Sequence, residues 1–199
     1  MLADVNLIET VATNIEEHGI QPLVVDPVMV AKSGDRLLAE GAKNALIKKI
    51  LPLADVLTPN LGEAEEITAM TVRTLNAMKE AAKQLIDLGP KSVLIKGGHL
   101  EGEAVDILYD GSVFTPFHSL RIETPNTHGT GCTLSAAIAA NLAKGESLIE
   151  AIRKSKQFIT EAIRNAPPDI GSGHGPLNHM WRLSGDLKDF KTKFGDQSG

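Results

Sequence analysis

The sequence predicts a three-layer α/β fold, in which helices cover both faces of a mostly parallel central sheet that also carries an antiparallel hairpin. Short β-branched runs alternate with amphipathic segments of helix length, as at residues 22–26, 54–58 and 91–95. Asp110-Gly111 separates two further strand-like runs, which is a pattern typical of a hairpin. The alternation predicts the parallel strands, and the second pattern predicts the antiparallel addition.

Composition excludes several classes of protein. The chain has 199 residues, of which 42% are hydrophobic and 23% charged, enough for one core. Its net charge of −5 provides no general field for nucleic acid or an anionic membrane, so we expect neither as a partner. One cysteine excludes an internal disulfide, and no signal peptide, membrane-length apolar run or Cys/His metal spacing is present. We therefore expect a cytoplasmic protein.

The first elements are predicted from capping and spacing. Residues 4–18 have apolar positions at helical spacing, with Asp4 as N-cap and Gly19 just past the end. Residues 22–26 form a strand that ends in Asp26, and the irregular residues 27–35 after it could be a lid. A helix over residues 40–50 should stop at a proline.

The second strand, residues 54–58, leads into Asn60 and Glu63. Asn-x-x-Glu at a helix start is a capping box, in which each side chain satisfies a backbone N–H of the first turn. The alternative is that Glu63 orients a hydrated Mg²⁺, which prefers carboxylate and water. Both interpretations stay open.

The third strand, residues 91–95, follows an amphipathic helix over 74–88 and ends in Lys96-Gly97-Gly98-His99. Two glycines allow the backbone to approach a ligand closely, and the lysine supplies a point charge. Lys96 is therefore a candidate phosphate contact, with a solvated surface lysine as the alternative. His99 is interpreted as structural.

The hairpin is predicted over residues 104–109 and 112–117, and residues 119–123 could extend it. Ser147-x-x-Glu150 predicts a capping box before a long final helix. Lys156 lies on that helix. The pattern favours an exposed lysine there, although it could reach a nucleotide.

The most informative stretch is Thr127-His128-Gly129-Thr130-Gly131-Cys132-Thr133, followed by an Ala-rich run. A Gly-x-Gly turn entering a helix gathers free N–H groups at the positive end of the helix dipole, which suits phosphate. The turn also places Cys132 at the helix N-terminus, where the dipole should lower the thiol pKa. The alternatives are a structural turn, a small buried cysteine and a hydrogen-bonded loop histidine.

These candidates follow strand ends or open helices, so they should share the carboxyl edge of one sheet. The set comprises Asp26, Asn60, Glu63, Lys96 and the glycine turn. Their chemistry predicts phosphoryl transfer, in which the turn stabilises the moving phosphoryl group and Mg²⁺ and Lys96 neutralise the remaining charge. Cys132 would lie at the acceptor.

Six segments together resemble the hydroxymethylpyrimidine/phosphomethylpyrimidine kinases of thiamine biosynthesis, which have the ribokinase-like fold. They occur in the right order and spacing from residue 1 to about 183, and are Asp26-Pro27-Val28-Met29, Ala31-Lys32-Ser33-Gly34, Thr58-Pro59-Asn60-Leu61-Gly62-Glu63-Ala64, Lys96-Gly97-Gly98-His99, the stretch from Asn126 to Ser135, and Gly173-His174-Gly175-Pro176-Leu177-Asn178-His179.

The resemblance implies a role for each candidate residue. Gly129, Thr130 and Gly131 would form the anion hole, and Cys132 would be the catalytic residue in place of the aspartate base of related sugar kinases. Glu63 and Asp26 would serve the metal and phosphates. The nucleotide contacts would be Lys96, Asn60, Thr130 and Lys156, and Met1 would line the pyrimidine pocket with Cys132. The implied cofactors are ATP and Mg²⁺, and a homodimer is possible.

Family members carry a further segment before the point that matches Met1. We therefore expect residues 1–183 to be a kinase domain whose N-terminal strands are missing, and residues 184–199 to be a flexible tail. Three other functions stay open. They are a pyridoxal kinase with the same glycine turn, a cysteine hydrolase that uses Cys132 with His128, and an inactive nucleotide-binding fragment.

Overall fold

The computed structural model describes residues 2–29, 38–39, 41–98, 104–167 and 175–183. Several predictions therefore lie outside the described residues. They concern Met1, most of the lid, residue 40, His99, residues 173–174 and the tail from residue 184 onward.

A five-stranded sheet forms the central layer, with its strands in chain order. Three short strands, β1 (Val24–Val25), β2 (Val56–Leu57) and β3 (Val93–Ile95), pair in parallel. The hairpin strands β4 (Ala104–Tyr109) and β5 (Phe114–Ser119) continue the sheet in antiparallel pairing. The predicted parallel core with an antiparallel hairpin is thus confirmed, but β5 ends at Ser119 and residues 120–123 do not extend it.

Helices cover both faces of this sheet. Helices α1 (Val5–Glu17), α2 (Ala42–Ala45), α3 (Leu61–Thr68) and α4 (Leu75–Ile86) contribute to one core layer, and α5 (Thr130–Ala143) and α6 (Leu148–Arg164) contribute to the other. Successive strand residues point to opposite faces, so that Leu57 and Val93 enter the first layer while Val56 and Leu94 enter the second. The three-layer prediction is confirmed.

Helix ends follow the predicted caps with differences in α2 and α6. At α6 the Ser147 hydroxyl accepts from the Glu150 N–H at 3.4 Å, but the described hydrogen bonds do not include the reciprocal bond that would complete the predicted capping box. Asp4 accepts a hydrogen bond from the Leu7 N–H at 2.9 Å, and Gly19 adopts a left-handed φ of 57° just beyond α1. The helix predicted over residues 40–50 is α-helical only to Ala45, and continues as a π-helical turn and a 3₁₀ turn that contains Pro52. Proline lacks the N–H that a regular final turn requires, so the chain closes with the tighter turn.

Within the ranges that the structure describes, no helix is both long and apolar enough to cross a membrane.

Candidate active site

The glycine turn begins α5 as the sequence predicts. Gly129 is the N-cap with a left-handed φ of 81°, and the described residues provide no side chain that caps this helix. The Thr130 hydroxyl donates to the Thr127 carbonyl at 2.8 Å, and the Thr133 hydroxyl donates to the Gly129 carbonyl at 2.7 Å. Both hydroxyls thus stabilise the turn itself. The Thr130 N–H also donates to the Thr127 carbonyl, at 3.4 Å, which leaves the N–H groups of Gly131 and Cys132 for an anion.

Lys96 and Asp26 meet beneath this turn. The Lys96 Nζ lies 2.7 Å from the Asp26 Oδ1, and the two side chains are 12% and 14% exposed. A Cβ atom at Gly131 would lie 3.2 Å from the Lys96 Nζ and 4.0 Å from the Asp26 Oδ2, so a side chain there would press on the ion pair. The structure therefore brings the ends of β1 and β3 together with the N-terminus of α5.

Asn60 and Glu63 occupy the end of β2. The Asn60 N–H donates to the Glu63 Oε2 at 2.7 Å and the Glu63 N–H donates to the Asn60 Oδ1 at 2.8 Å, which confirms the capping box. Burial raises the pKa of the Glu63 carboxyl; Lys96 and the hydrogen bond from Asn60 oppose this shift, and Asp26 adds to it. Glu63 is thus an electrostatic neighbour of the ion pair as well as a cap. The Lys96 N–H, which donates to the Pro59 carbonyl at 2.8 Å, joins β3 to this corner.

Cys132 lies beside Asp26, and the prediction of a lowered thiol pKa is wrong. The residue as a whole is exposed, but its thiol is partly withdrawn from water, and this burial is the main cause that raises its pKa. The negative charge of Asp26 and a hydrogen bond to it raise the pKa further, while Lys96 opposes the shift. Burial, with a smaller contribution from the Asp26 carboxylate, therefore outweighs the helix terminus in setting the thiol pKa.

The C-terminal part of the described chain supports the turn. The His128 N–H donates to the Gly175 carbonyl at 3.2 Å, and a Cβ atom at Gly175 would lie 2.0 Å from the Asn126 Oδ1. His179 Nε2 lies 2.9 Å from the Thr133 Oγ1. Because that hydroxyl donates its one proton to Gly129, His179 must donate through Nε2–H. The role of this last segment could not be predicted from its residues alone.

The helical pattern favours an exposed Lys156, but the structure places most of this side chain out of contact with water. Its side chain is 13% exposed and forms an ion pair with Asp106, which is 8% exposed. Lys156 also lines a groove of about 550 Å³ between β5 and α6. The lining residues are Thr115, Pro116, Phe117, His118, Ser119, Leu120, Arg153, Lys156, Gln157, Thr160, Glu161 and Arg164.

Sequence reasoning missed Asp106. It lies inside β4, where its neighbours Val105, Ile107 and Leu108 are buried, and its Oδ1 accepts the Gly97 N–H at 2.9 Å. A charged residue within a strand of otherwise buried apolar residues was the available signal, because a carboxylate in such a run needs a partner.

In the described part of the chain, no group of three or more His, Cys, Asp or Glu side chains could hold a metal ion. Two carboxylates, Asp26 and Glu63, are electrostatic neighbours at the edge of the sheet. The protein therefore offers a partial set of oxygen ligands there.

An α/β sheet whose carboxyl edge carries a helix N-terminus, a lysine and two carboxylates places the chain in the ribokinase-like fold class. Within that class, the model of the phosphomethylpyrimidine kinase family matches residues 1–178, and the chain belongs to this family.

Known relatives agree with this assignment. The chain is 49% identical over 190 residues to the thiamine biosynthesis bifunctional protein ThiED of Geobacter sulfurreducens, covering 95% of this chain and 38% of that protein. It is 44% identical over 182 residues to the hydroxymethylpyrimidine/phosphomethylpyrimidine kinase of Bacillus subtilis, covering 90% of this chain and 67% of that kinase. The chain thus spans well under half of the first relative and about two thirds of the second.

Among solved structures, the chain is similar to an ADP complex of the pyridoxal kinase of Bacillus subtilis. The TM-score is 0.83 at 42% sequence identity, and the match covers 92% of this chain and 69% of that one. The similarity extends across nearly all of the present fold.

Proposed function

We propose that this chain transfers phosphate from ATP to hydroxymethylpyrimidine and to its monophosphate. The observation that carries the proposal is the convergence of three features at Gly131: the uncapped α5 N-terminus, the Lys96 ammonium and the Asp26 carboxylate. This arrangement suits the stabilisation of charge on a transferred phosphoryl group. The names of the relatives supply the acceptor.

Each part of the site takes a role in this reaction. The backbone of Gly129, Thr130 and Gly131 forms the anion hole, and Lys96 neutralises charge on the phosphates. Cys132 is the catalytic residue beside the acceptor hydroxyl. Because its thiol is hydrogen-bonded to Asp26, a proton leaving that hydroxyl has a route through the sulfur to the carboxylate.

The nucleotide would extend from the anion hole toward the groove that Lys156 lines. Asn60 and Thr130 hold the backbone around the phosphates, and Lys156 contacts the nucleotide at the edge of α6. Support for a nucleotide comes from the similar pyridoxal kinase, which was solved as a complex with ADP. The role of Met1 in the pyrimidine pocket stays a prediction.

Asp26 and Glu63 fit a magnesium ion. Mg²⁺ is commonly bound by one or two carboxylates and completes its shell with water and substrate phosphates, so an incomplete protein ligand set is what it requires. When bound here, it would neutralise charge on the ATP phosphates.

A pyridoxal kinase is the second candidate, because the similar solved structure carries that name at 42% identity. The two candidates share the phosphate chemistry and differ only in the alcohol.

A panel of acceptors separates these functions. The purified chain is incubated with Mg-ATP and hydroxymethylpyrimidine, its monophosphate or pyridoxal, and the phosphorylated products are separated by chromatography. We expect both pyrimidines to be phosphorylated faster than pyridoxal, and Cys132→Ala to lower kcat by about 10²–10⁴-fold. Ala136→Ser, an exposed change one turn along α5, is the matched control and should keep full activity.

Two results would contradict the proposal. Preferential phosphorylation of pyridoxal would assign the second function, and binding of ADP without transfer to any acceptor would assign the inactive fragment. Because the chain spans two thirds of the Bacillus subtilis kinase, the panel is repeated with the unmatched segment of that relative fused to it. Activity only in the fused protein would support the proposed incomplete kinase domain.

A further inference from the structure

Asp106 connects two parts of the site that lie on different elements. Its Oδ2 pairs with the Lys156 Nζ from α6, and its Oδ1 accepts the Gly97 N–H at the end of β3. The residue is 5% exposed, so both oxygens have exchanged water for protein donors. A buried carboxylate in this state has one energetically favourable arrangement, because moving it would leave an unpaired charge.

The contact with Gly97 reaches Lys96 through one peptide unit. A Cβ atom at Gly97 would lie 1.9 Å from the Val105 carbonyl oxygen, so β3 is pressed against β4 at this point. The Lys96 N–H is held by the Pro59 carbonyl at 2.8 Å. The backbone on both sides of the Lys96 Cα is therefore fixed, by Pro59 on one side and by Asp106 on the other.

The contact with Lys156 fixes the second lysine. Lys156 lines the groove between β5 and α6, and its ammonium forms an ion pair with Asp106. A lysine side chain loses rotamer freedom when it is held in one place. Here the protein has ordered the side chain before a ligand arrives, so a ligand in the groove meets a cation already in position.

We propose that Asp106 is a positioning residue that holds both lysines of the site, Lys156 through its side chain and Lys96 through the Gly97 backbone. The proposal rests on the proposed nucleotide-dependent kinase. It assigns separate consequences to the two contacts. The contact with Lys156 sets nucleotide affinity, and the contact with Gly97 sets the rate of transfer.

Two double variants separate these contacts. Asp106→Asn/Lys156→Met removes both charges but keeps an amide oxygen that can accept the Gly97 N–H. Asp106→Leu/Lys156→Met removes the charges and the acceptor together. Replacing both members of a buried ion pair by neutral residues often preserves the fold, whereas removing one member leaves a buried unpaired charge. Circular dichroism and thermal melting confirm the folded state of each variant.

Affinity for ADP is measured by titration calorimetry, and kcat and KM for ATP are measured with hydroxymethylpyrimidine. We expect both double variants to bind ADP about tenfold more weakly than the parent, as expected for a lost hydrogen bond to a charged group. Only the leucine variant should also lose kcat, by about tenfold, because only there is Gly97 without its acceptor. The single variant Asp106→Asn keeps Lys156 and removes only the charge that holds it, so it should also bind ADP more weakly than the parent if the positioning of Lys156 matters.

The matched control is Glu80→Gln/Lys83→Met, which removes an exposed ion pair on α4, on the other face of the sheet. It should change neither affinity nor rate. Equal kcat in the two Asp106 double variants, or unchanged ADP affinity in both, overturns the proposal and leaves Asp106 with a purely structural role. If the parent binds ADP but phosphorylates no pyrimidine, the proposed function fails while the ADP affinities still decide the role of Asp106. A parent that does not bind ADP overturns both.

Discussion

Two lysine–aspartate ion pairs lie at the same edge of the sheet and differ in what surrounds them. Lys96 with Asp26 and Lys156 with Asp106 have side chains that are between 8% and 14% exposed, and each pair joins distant parts of the chain. The second oxygen of Asp106 accepts a backbone N–H. Asp26 instead accepts from the Cys132 thiol and faces the glycine turn.

This difference shows that a buried lysine–aspartate ion pair can either stabilise the fold or take part in ligand binding. The pair at Asp106 is saturated by the protein, so it holds β3, β4 and α6 in register. The pair at Asp26 is shared with a thiol and lies beside the N-terminus of a helix that no described side chain caps, so it can exchange partners with a ligand. Ion-pair geometry alone would not distinguish them, whereas the remaining contacts of each carboxylate do.

Replacing each lysine by methionine should separate the roles of the two ion pairs most clearly. Lys96→Met removes the cation next to the anion hole, and we expect kcat to fall by about 10²–10³-fold, the usual loss for one transition-state contact. Lys156→Met should instead raise KM for ATP with a small effect on kcat. Steady-state kinetics with varied ATP measures both quantities.

Lys91→Met is the matched control, because Lys91 precedes β3 and pairs with Asp55 while its own side chain is 64% exposed. We expect its kinetics to equal those of the parent, since an exposed pair contributes little. A similar loss of kcat in Lys96→Met and Lys156→Met would show that the two ion pairs do not have separate roles.

The sequence predicted those features of the fold that depend on local signals. Asp4, the Asp110-Gly111 turn and the Asn60 and Glu63 capping box each act within a few residues, and each lies where it was expected. The glycine turn before α5 is local in the same sense. Its φ angle and its missing side-chain cap follow from residues next to one another.

The features that were not predicted depend on partners far away in sequence. Lys156 and Asp106 are 50 residues apart, and helical periodicity gave no sign that a strand residue would bury the lysine. The raised thiol pKa of Cys132 depends first on burial and then on Asp26, which follows β1. A helix terminus can be predicted from neighbouring residues, but its effect on the thiol is reversed by burial and by a carboxylate that belong to the tertiary fold.

The thiol offers a direct measurement of how the two aspartates differ. Cys132 is the one cysteine, so alkylation by iodoacetamide reports on a single site. Its raised pKa leaves less thiolate at neutral pH, and we expect slow alkylation in the parent that accelerates with rising pH. Asp26→Asn removes the charge that adds to the effect of burial on this pKa, so alkylation at pH 7 should become faster. The alkylation is carried out in the absence of nucleotide and is followed by mass spectrometry.

The double variant Asp106→Asn/Lys156→Met is the corresponding control, because it keeps an acceptor for Gly97, leaves no unpaired buried charge and does not contact the thiol. Alkylation of Cys132 should proceed there at the parent rate. Equal acceleration in Asp26→Asn and in this double variant would mean that the thiol responds to general loosening of the site, and would contradict the hydrogen bond from Cys132 to Asp26.

Glu63 should have a smaller effect, on stability, because it is a buried carboxylate whose pKa is raised, mainly by burial. The unfolded carboxyl ionises near its ordinary value of 4.5, while the folded one holds its proton to higher pH. Between these two values the folded state binds more protons, so its stability falls as pH rises through that interval. At pH values above this interval Glu63 is ionised in both states, and the cost of burying its charge lowers the stability of the folded state by the full amount.

Glu63→Gln removes this opposition and keeps an oxygen that can accept the Asn60 N–H. We expect its melting temperature at pH 7 to exceed that of the parent by a few degrees, and this difference to shrink as pH falls toward 4.5. The kinase activity of Glu63→Gln should be lower than that of the parent, because a carboxylate proposed to bind Mg²⁺ is lost. Glu9→Gln, an exposed change on α1, should leave both quantities unchanged. A variant that is less stable than the parent at pH 7 would show that the attraction between Glu63 and Lys96 exceeds the effect of burial.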